Sequence, residues 1–175
     1  LNSLKFAPIS FIACIDGAAA GGGFALALAS DVRIATPTLK MNAAFIRIGL
    51  SACDIGVSYF LPRLVGSSVA AEYMLTGRFI TADRAYQLGL VSRIVEAGAL
   101  EAEAQAFAAD MLHATPLGLR LTKEALNHAI DANGLEAAIA MEDRNQILCA
   151  QDGDFGEGVR AFLEKRTPVY TQREG

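Results

Sequence analysis

Three consecutive glycines, Gly21-Gly22-Gly23, constrain the folding of this chain more than any other stretch. They follow a short apolar run, Pro8-Ile-Ser-Phe-Ile-Ala-Cys-Ile15, and the turn pair Asp16-Gly17. They open a stretch rich in Ala and Leu that ends at Ser30. The order reads as a buried strand, a turn, and a helix over Gly21–Ser30. A helix entered through glycine presents unpaired backbone N–H groups with no side chain in the way, at the positive end of the helix dipole. Such an entrance either stabilises an anion or oxyanion, or simply lets a helix lie close against a sheet. Both readings stand on the residues alone. The dinucleotide fingerprint G-x-G-x-x-G does not fit, because the spacing is wrong and no acidic residue follows at the required distance.

Alternation of short strands and helices continues after the glycines. Asp31–Ala35 reads as a strand closed by Thr36-Pro37, and Lys40–Ile46 as its extended continuation. Gly49–Gly56 is a loop. Pro62 lies inside the apolar stretch Val57–Val65, so a helix there is expected to begin or kink at that proline. A helix over Ser67–Thr76 takes Ser67 or Ser68 as N-cap and Gly77 as its terminator. A short helix over Thr81–Leu88 ends at Gly89, and Leu90–Val95 reads as a strand. From about Gly98 the pattern is helical only: Leu100–Leu112, Pro116–Ala132, Leu135–Ala150 and Phe155–Lys165. This divides the chain into an α/β part, residues 1–98, and a C-terminal helical region, residues 99–175.

Hydrophobic residues make up 53% of the 175 positions, enough to bury a core, and the formal net charge is −4. No basic block is present, which argues against nucleic acid as a partner. The apolar stretch from Phe6 to Leu28 is broken by Pro8, Asp16 and the glycines, so it is not read as a membrane span. Cys14, Cys53 and Cys149 are widely spaced and form no C-x-x-C pair. They are read as buried reduced thiols in a cytoplasmic protein, with no metal site. The first residue is Leu1 rather than Met, so the sequence is read as a fragment or a processed product.

Several ordered motifs carry a family resemblance. Asp16-Gly-x-x-x-Gly-Gly-Gly-Phe, followed by Asp31, comes first. Then come Ile48-Gly-Leu-x-x-x-Asp-x-Gly56, Leu61-Pro-Arg-Leu-Val-Gly66, Leu75-Thr-Gly-Arg78 and Ala161-Phe-Leu-Glu-Lys-Arg166. Together they resemble the crotonase (enoyl-CoA hydratase/isomerase) family from Pro8 to Arg166. The resemblance implies an α/β ββα spiral core, here partial, and a C-terminal helical region for oligomerisation into a homotrimer or homohexamer. It implies an acyl-CoA thioester as substrate, with no cofactor other than the coenzyme A that the substrate carries. The first third of a typical member has no counterpart in the sequence, and with it the segment bearing the family's second oxyanion donor.

By the same resemblance, the middle glycine, Gly22, donates its N–H to the thioester oxygen. Such a donor contributes about 3 kcal/mol to transition-state stabilisation in comparable sites. Ala20, Gly21 and Leu50 line the substrate, and Phe162 and Lys165 approach coenzyme A. The family's two hydratase glutamates fall at Ala25 and Phe45, neither of which ionises. Asp54 is the remaining acid in a useful place. It matches, within one residue, a carboxylate of enoyl-CoA and dienoyl-CoA isomerases. One carboxylate suffices to move a proton between two carbons of an enolised thioester. This favours isomerisation, with hydration and a non-catalytic acyl-CoA-binding role as alternatives. Burial among Leu50, Ile55 and Val57 is expected to raise the Asp54 pKa; the bland alternative is a helix N-cap. Asp16 and Asp31 are read as structural, His113 and His128 as surface or packing residues, and Cys53 as no nucleophile because no histidine accompanies it.

Overall fold

A computed structural model of the chain describes residues 2–171. It divides into two compact units. The first takes in the stretch through Ala7 together with Phe11–Ala106, and the second Pro8–Ser10 together with the stretch from Phe107.

The first unit opens with a short helix, α1 (Asn2–Lys5), and then winds as strand, strand, helix. β1 (Ile12–Ile15), β2 (Ala18–Ala20) and α2 (Gly22–Ala29) make one such turn. β3 (Val32–Ala35), β4 (Lys40–Asn42), α3 (Val57–Val65) and α4 (Ser67–Thr76) make the next. β5 (Ile80–Thr81), α5 (Ala82–Gln87) and β6 (Arg93–Ile94) follow. Strands of successive turns stack in two small sheets, ordered β1-β3-β6 and β2-β4-β5. The pairings β1–β3 and β2–β4 are parallel, in the registers Ile15↔Ala35 and Ala19↔Met41. Between the sheets and helices lies a core in which Phe24, Leu28, Ile34, Met41, Leu61 and Leu90 are fully buried.

The two corners where the chain passes from one sheet to the other are bolted together. Asp16 Oδ1 accepts hydrogen bonds from Thr36 Oγ1 at 2.7 Å and Thr38 Oγ1 at 2.9 Å. The Gly17 N–H donates to Thr38 Oγ1, and the Lys40 N–H to the Gly17 carbonyl. The hydroxyls hold the Asp16 carboxyl below its ordinary pKa. Asp31 accepts the Phe11 N–H at 2.9 Å, fixing the start of β1 beside β3. Both aspartates thus act structurally.

Arg33 is the buried charge of this unit. Its Nε donates to the Leu90 carbonyl at 2.6 Å, and its Nη1 to the carbonyls of Ser30 at 2.5 Å and Ala27 at 3.3 Å. The last two belong to the C-terminal end of α2, where carbonyls lack helical partners. Burial pushes the guanidinium pKa down, partly offset by Asp31.

The second unit is helical. α6 (Leu100–Met111) crosses from the first unit into it, followed by α7 (Pro116–Ala129), α8 (Leu135–Ala150) and α9 (Gly153–Glu164). Thr115 caps α7 by accepting the Gly118 N–H, with Pro116 at the first helical position. Asp152 caps α9 by accepting the Asp154 N–H. α7 and α8 are joined by Asn145 Nδ2 donating to the Leu121 carbonyl and by Arg144 paired with Glu124 at 3.0 Å. The chain after α9 folds back along that helix. Glu157 accepts from Arg166 at 2.6 Å and from the Val169 N–H at 3.0 Å, and Asp154 accepts both the N–H and the hydroxyl of Thr171.

Several expectations are corrected. β1 starts at Ile12, not Pro8: the Ile9 carbonyl is taken by Lys123 Nζ at 2.8 Å, and Pro8–Ser10 belong to the second unit. The extended run from Lys40 stops at Asn42, and Ala44–Ile48 is a 3₁₀ turn closed by Gly49 in the left-handed region at φ 84°. α3 begins five residues before Pro62 and runs through it; the carbonyl deprived of a donor is that of the exposed Ser58. Gly66, not Ser67 or Ser68, precedes α4, and no side chain caps it. α7 ends at Ala129, and β6 is only two residues long. The thiols are free, but Cys14 and Cys53 are exposed and Cys149 half-buried, so the expected burial does not hold. β1 turns Ile15, not Cys14, into the core. Among the described residues no helix is long and apolar enough to cross a membrane.

Replacing Arg33 by Ala should lower unfolding free energy by about 3 kcal/mol, because the buried Leu90 and Ser30 carbonyls lose this donor while that of Ala27 keeps the Ser30 N–H; a urea titration with an unchanged midpoint would contradict this. A second prediction concerns Glu157, whose pKa falls from 4.5 to about 2, chiefly through its hydrogen bond with Arg166. A depressed folded pKa means that its stabilisation is complete above about 4.5 and is lost as pH falls toward about 2. Glu157→Gln should therefore remove part of the acid destabilisation across that window and leave the curve above it flat.

Candidate functional site

The glycine triplet lies where β2 gives way to α2. Gly21 sits at φ 54°, ψ −115°, a conformation closed to most side chains, and its N–H donates to the Asn42 carbonyl at 3.1 Å. This bond fixes the helix entrance to the end of β4. Gly22, Gly23 and Phe24 form the first turn of α2, whose N–H groups have no helical acceptor. None of the three finds another acceptor among the described residues. Gly22 and Gly23 are exposed, whereas Phe24 and Ala25 are fully buried. Gly22 is thus an accessible donor at the positive end of a helix.

Two apolar side chains flank this entrance. The Phe45 ring lies 3.4 Å from the point where a Gly21 Cβ would stand, and Ile55 Cδ1 lies 3.8 Å from the corresponding point at Gly22. Phe45 comes from the 3₁₀ turn and Ile55 from the following loop. That loop is therefore folded against the glycine entrance. Its conformation is unusual at one position. The Val57 N–H donates to the Asp54 carbonyl at 3.0 Å, and the residues between, Ile55 and Gly56, have φ 36° and 85°. Positive φ at both central positions is the pattern of a type I′ turn, which favours Asn-Gly over Ile-Gly. A β-branched residue in the left-handed region is an outlier that costs about 1–2 kcal/mol.

Asp54 begins this turn. Its Oδ1 accepts the Ile55 N–H at 2.8 Å. The residue is exposed, as are Leu50 and Ile55, and of the expected apolar neighbours only Val57 is buried. The expected burial of Asp54 among them is overturned, because the turn directs residues 54 and 55 outward before Val57 enters the core. The helix-cap reading fails as well: Gly56 occupies the N-cap of α3, without a side-chain bond.

The structure brings Gly21, Gly22 and the loop bearing Asp54 together, the last through Ile55. Ala20 ends β2 opposite Asn42 and is exposed. Leu50 is anchored by its N–H to the Phe45 carbonyl at 3.1 Å. Phe162 and Lys165 belong to the second unit. Phe162 is 82% exposed, and Lys165 follows α9 in the left-handed region at φ 54°. His113 and His128 are also exposed and in that unit. Among the described residues no group of three or more His, Cys, Asp or Glu is placed to hold a metal ion. Beside the entrance, an open cleft of about 450 Å³ runs along β1 and α2, lined by Phe11, Ile12, Cys14, Ala19, Gly23 and Leu26. In the sequence Ile55 figures only as an apolar neighbour of Asp54, and the one signal of its place beside the glycines is a β-branched residue before glycine in a turn.

The chain thus combines a two-sheet ββα winding with an exposed glycine at a helix entrance. Comparison with known proteins gives the family. The sequence profile described as Enoyl-CoA hydratase/isomerase matches residues 1–173, and the chain belongs to that family. A probable enoyl-CoA hydratase of Mycobacterium tuberculosis is 44% identical over 161 residues, covering 91% of this chain and 56% of the relative. The 1,2-epoxyphenylacetyl-CoA isomerase of Escherichia coli is 35% identical over 164 residues, covering 94% and 62%. The crystal structure of a probable enoyl-CoA hydratase/isomerase from Mycobacterium abscessus superposes with a TM-score of 0.89 at 40% identity, covering 95% and 64%. The fold is thus the crotonase fold, with the C-terminal helices present. The chain spans 56–62% of the length of these two curated relatives.

The glycines at 21 and 22 should respond differently to one methyl group. Gly21→Ala should destabilise the protein by about 1–2 kcal/mol through its positive φ. Gly22→Ala meets Ile55 only at ordinary van der Waals distance and should keep the wild-type unfolding midpoint. Equal midpoints for both variants in thermal unfolding would contradict the assigned geometry.

Proposed function

We propose that this chain belongs to an acyl-CoA-metabolising enzyme that stabilises a thioester enolate and favours double-bond isomerisation over hydration. The observation that carries the reading is the replacement of ionisable groups by apolar ones around Gly22. At the two positions where the family's hydratases have glutamates, Ala25 is fully buried and Phe45 packs against Gly21. Asp54 is the carboxylate of the adjoining loop, next in sequence to Ile55, whose Cδ1 lies 3.8 Å from where a Gly22 Cβ would stand.

In this mechanism the thioester oxygen accepts a hydrogen bond from the Gly22 N–H, aligned with the dipole of α2. Asp54 takes a proton from one carbon of the acyl chain as negative charge moves onto that oxygen. The proton then returns at the other carbon, and the double bond has moved. Exposure of Asp54 in this chain leaves its oxygens accessible to an acyl group. Ala20, Gly21 and Leu50 line the acyl and pantetheine path, and Phe162 and Lys165 meet the coenzyme A nucleotide, the lysine as a cation toward phosphate. No cofactor is required beyond the coenzyme A of the substrate.

The working form in this proposal is a cytoplasmic homotrimer or homohexamer assembled through the second unit, with no nucleic-acid partner. Exposed Leu126, Leu135, Ile147, Phe162 and Leu163 on its helices support a role in assembly. A second reading, hydration with water held by other groups, is favoured by the relatives described as probable enoyl-CoA hydratases.

Asp54→Asn should reduce isomerisation of a 3-enoyl-CoA by about a thousandfold, with acyl-CoA affinity nearly unchanged. Unaltered turnover would remove Asp54 from the mechanism. Loss of ultraviolet absorbance from a 2-enoyl-CoA, catalysed by the wild type, would establish hydration instead. Tight acyl-CoA binding with neither reaction would point to a non-catalytic subunit.

A further inference from the structure

We propose that Ile55 is a specificity-determining residue that excludes acyl groups branched next to the thioester carbonyl. The inference rests on the reading that Gly22 meets the thioester oxygen. With the oxygen at the Gly22 N–H, the carbon attached to the carbonyl must lie close to that glycine. A Cβ added at Gly22 would meet Ile55 Cδ1 at 3.8 Å, so that side chain borders the space in front of the glycine. A methyl group on the α-carbon competes with that atom for space.

The backbone of Ile55 gives an independent reason to assign it a function. The turn Asp54–Val57 has positive φ at Ile55 and Gly56, 36° and 85°, and is closed by the Val57 N–H on the Asp54 carbonyl. Asn or Gly suits the first of these positions, and a β-branched side chain suits it least. Stability alone therefore does not select isoleucine here. Ile55 is 46% exposed, so core packing does not select it either. Residues held in unfavourable backbone conformations cluster where a side chain must be placed for function. What this one places is an apolar wall beside the oxyanion donor, with Phe45 forming the matching wall at Gly21.

The neighbouring contacts fit this role. The Asp54 carboxylate accepts the Ile55 N–H at 2.8 Å, so the turn that holds the isoleucine is also tied to the proposed proton carrier. A rigid turn fixes the methyl to within the tolerance that discrimination by one carbon requires. Such discrimination by shape in an apolar pocket is about tenfold per methylene.

The test uses the full chain and two variants, with straight-chain and 2-methyl-branched enoyl-CoA thioesters as substrates. Binding of butyryl-CoA and 2-methylbutyryl-CoA is measured by calorimetry alongside turnover. Ile55→Ala opens the space, and Ile55→Asn keeps a side chain of similar reach that suits the turn. Both should unfold at or above the wild-type temperature. Ile55→Ala should raise the branched-to-straight ratio of kcat/KM, and of affinity, by about tenfold, while Ile55→Asn stays near wild type. Wild-type ratios in both variants would overturn the proposal, and so would equal shifts in both, which would assign the effect to the turn rather than to the wall. A wild type that binds no acyl-CoA would remove the Gly22 reading and this inference together, and that result is separable because it appears before any variant is made.

Discussion

The first unit depends on one buried guanidinium. Arg33 leaves β3 and donates to two carbonyls at the end of α2 and to the carbonyl of Leu90, ahead of β6. Those carbonyls lie in a crowded interior, where an unpaired acceptor costs about 1–3 kcal/mol. The arginine is 7% exposed, so its own burial is tolerable only because its donors are used. The C-terminus of α2 is thereby held to the sheet that contains β3, while its N-terminus is held by the Gly21 N–H on Asn42. A helix pinned at both ends presents its first N–H groups in a fixed direction. Preorganisation of that kind lets a backbone donor work without reorganising during a reaction.

Packing and chemistry then meet in the glycine triplet rather than competing for it. Gly21 serves the fold: its φ of 54° and the nearby Phe45 ring leave little freedom for a side chain. Gly22 has no such constraint, since an added methyl would meet only Ile55 at van der Waals distance. Its value is accessibility. Of the alternatives that the residues alone left open, close approach accounts for Gly21, while Gly22 keeps the exposed position that the proposed oxyanion role requires.

Much of this architecture is legible in the sequence where a local signal suffices. The helix after the triplet, the helix at Leu135–Ala150 and the stop at Gly77 follow from period and from glycine chemistry. The strands were read too long, because strand ends depend on a partner: Ile9 loses its carbonyl to Lys123, 114 residues away. Pro62 misled for a related reason, since the one carbonyl it deprives faces outward on an exposed residue. Nothing in sequence marks Arg33, whose partners come together only on folding. For Asp54 the apolar neighbours suggested burial, yet a turn with two positive φ values turns it outward. In Ile55-Gly56 the turn is disguised, because isoleucine is the wrong residue for it.

That mismatch links the local and the functional levels. When turn chemistry, hydropathy and packing agree at a position, stability explains the residue. At Ile55 none of the three selects the residue found: the turn favours asparagine, the exposure favours a polar group, and the core is reached only at Val57. The remaining contact is with the glycine entrance. The same reasoning separates Ile55 from Lys165, the other described residue at positive φ outside glycine. Lys165 is unbranched at Cβ and ends a helix, where a left-handed residue satisfies the last carbonyls: its N–H donates to the carbonyls of Ala161 and Phe162. Its conformation is accounted for by the helix it terminates, whereas no helix end accounts for that of Ile55, which lies before the N-cap glycine of α3.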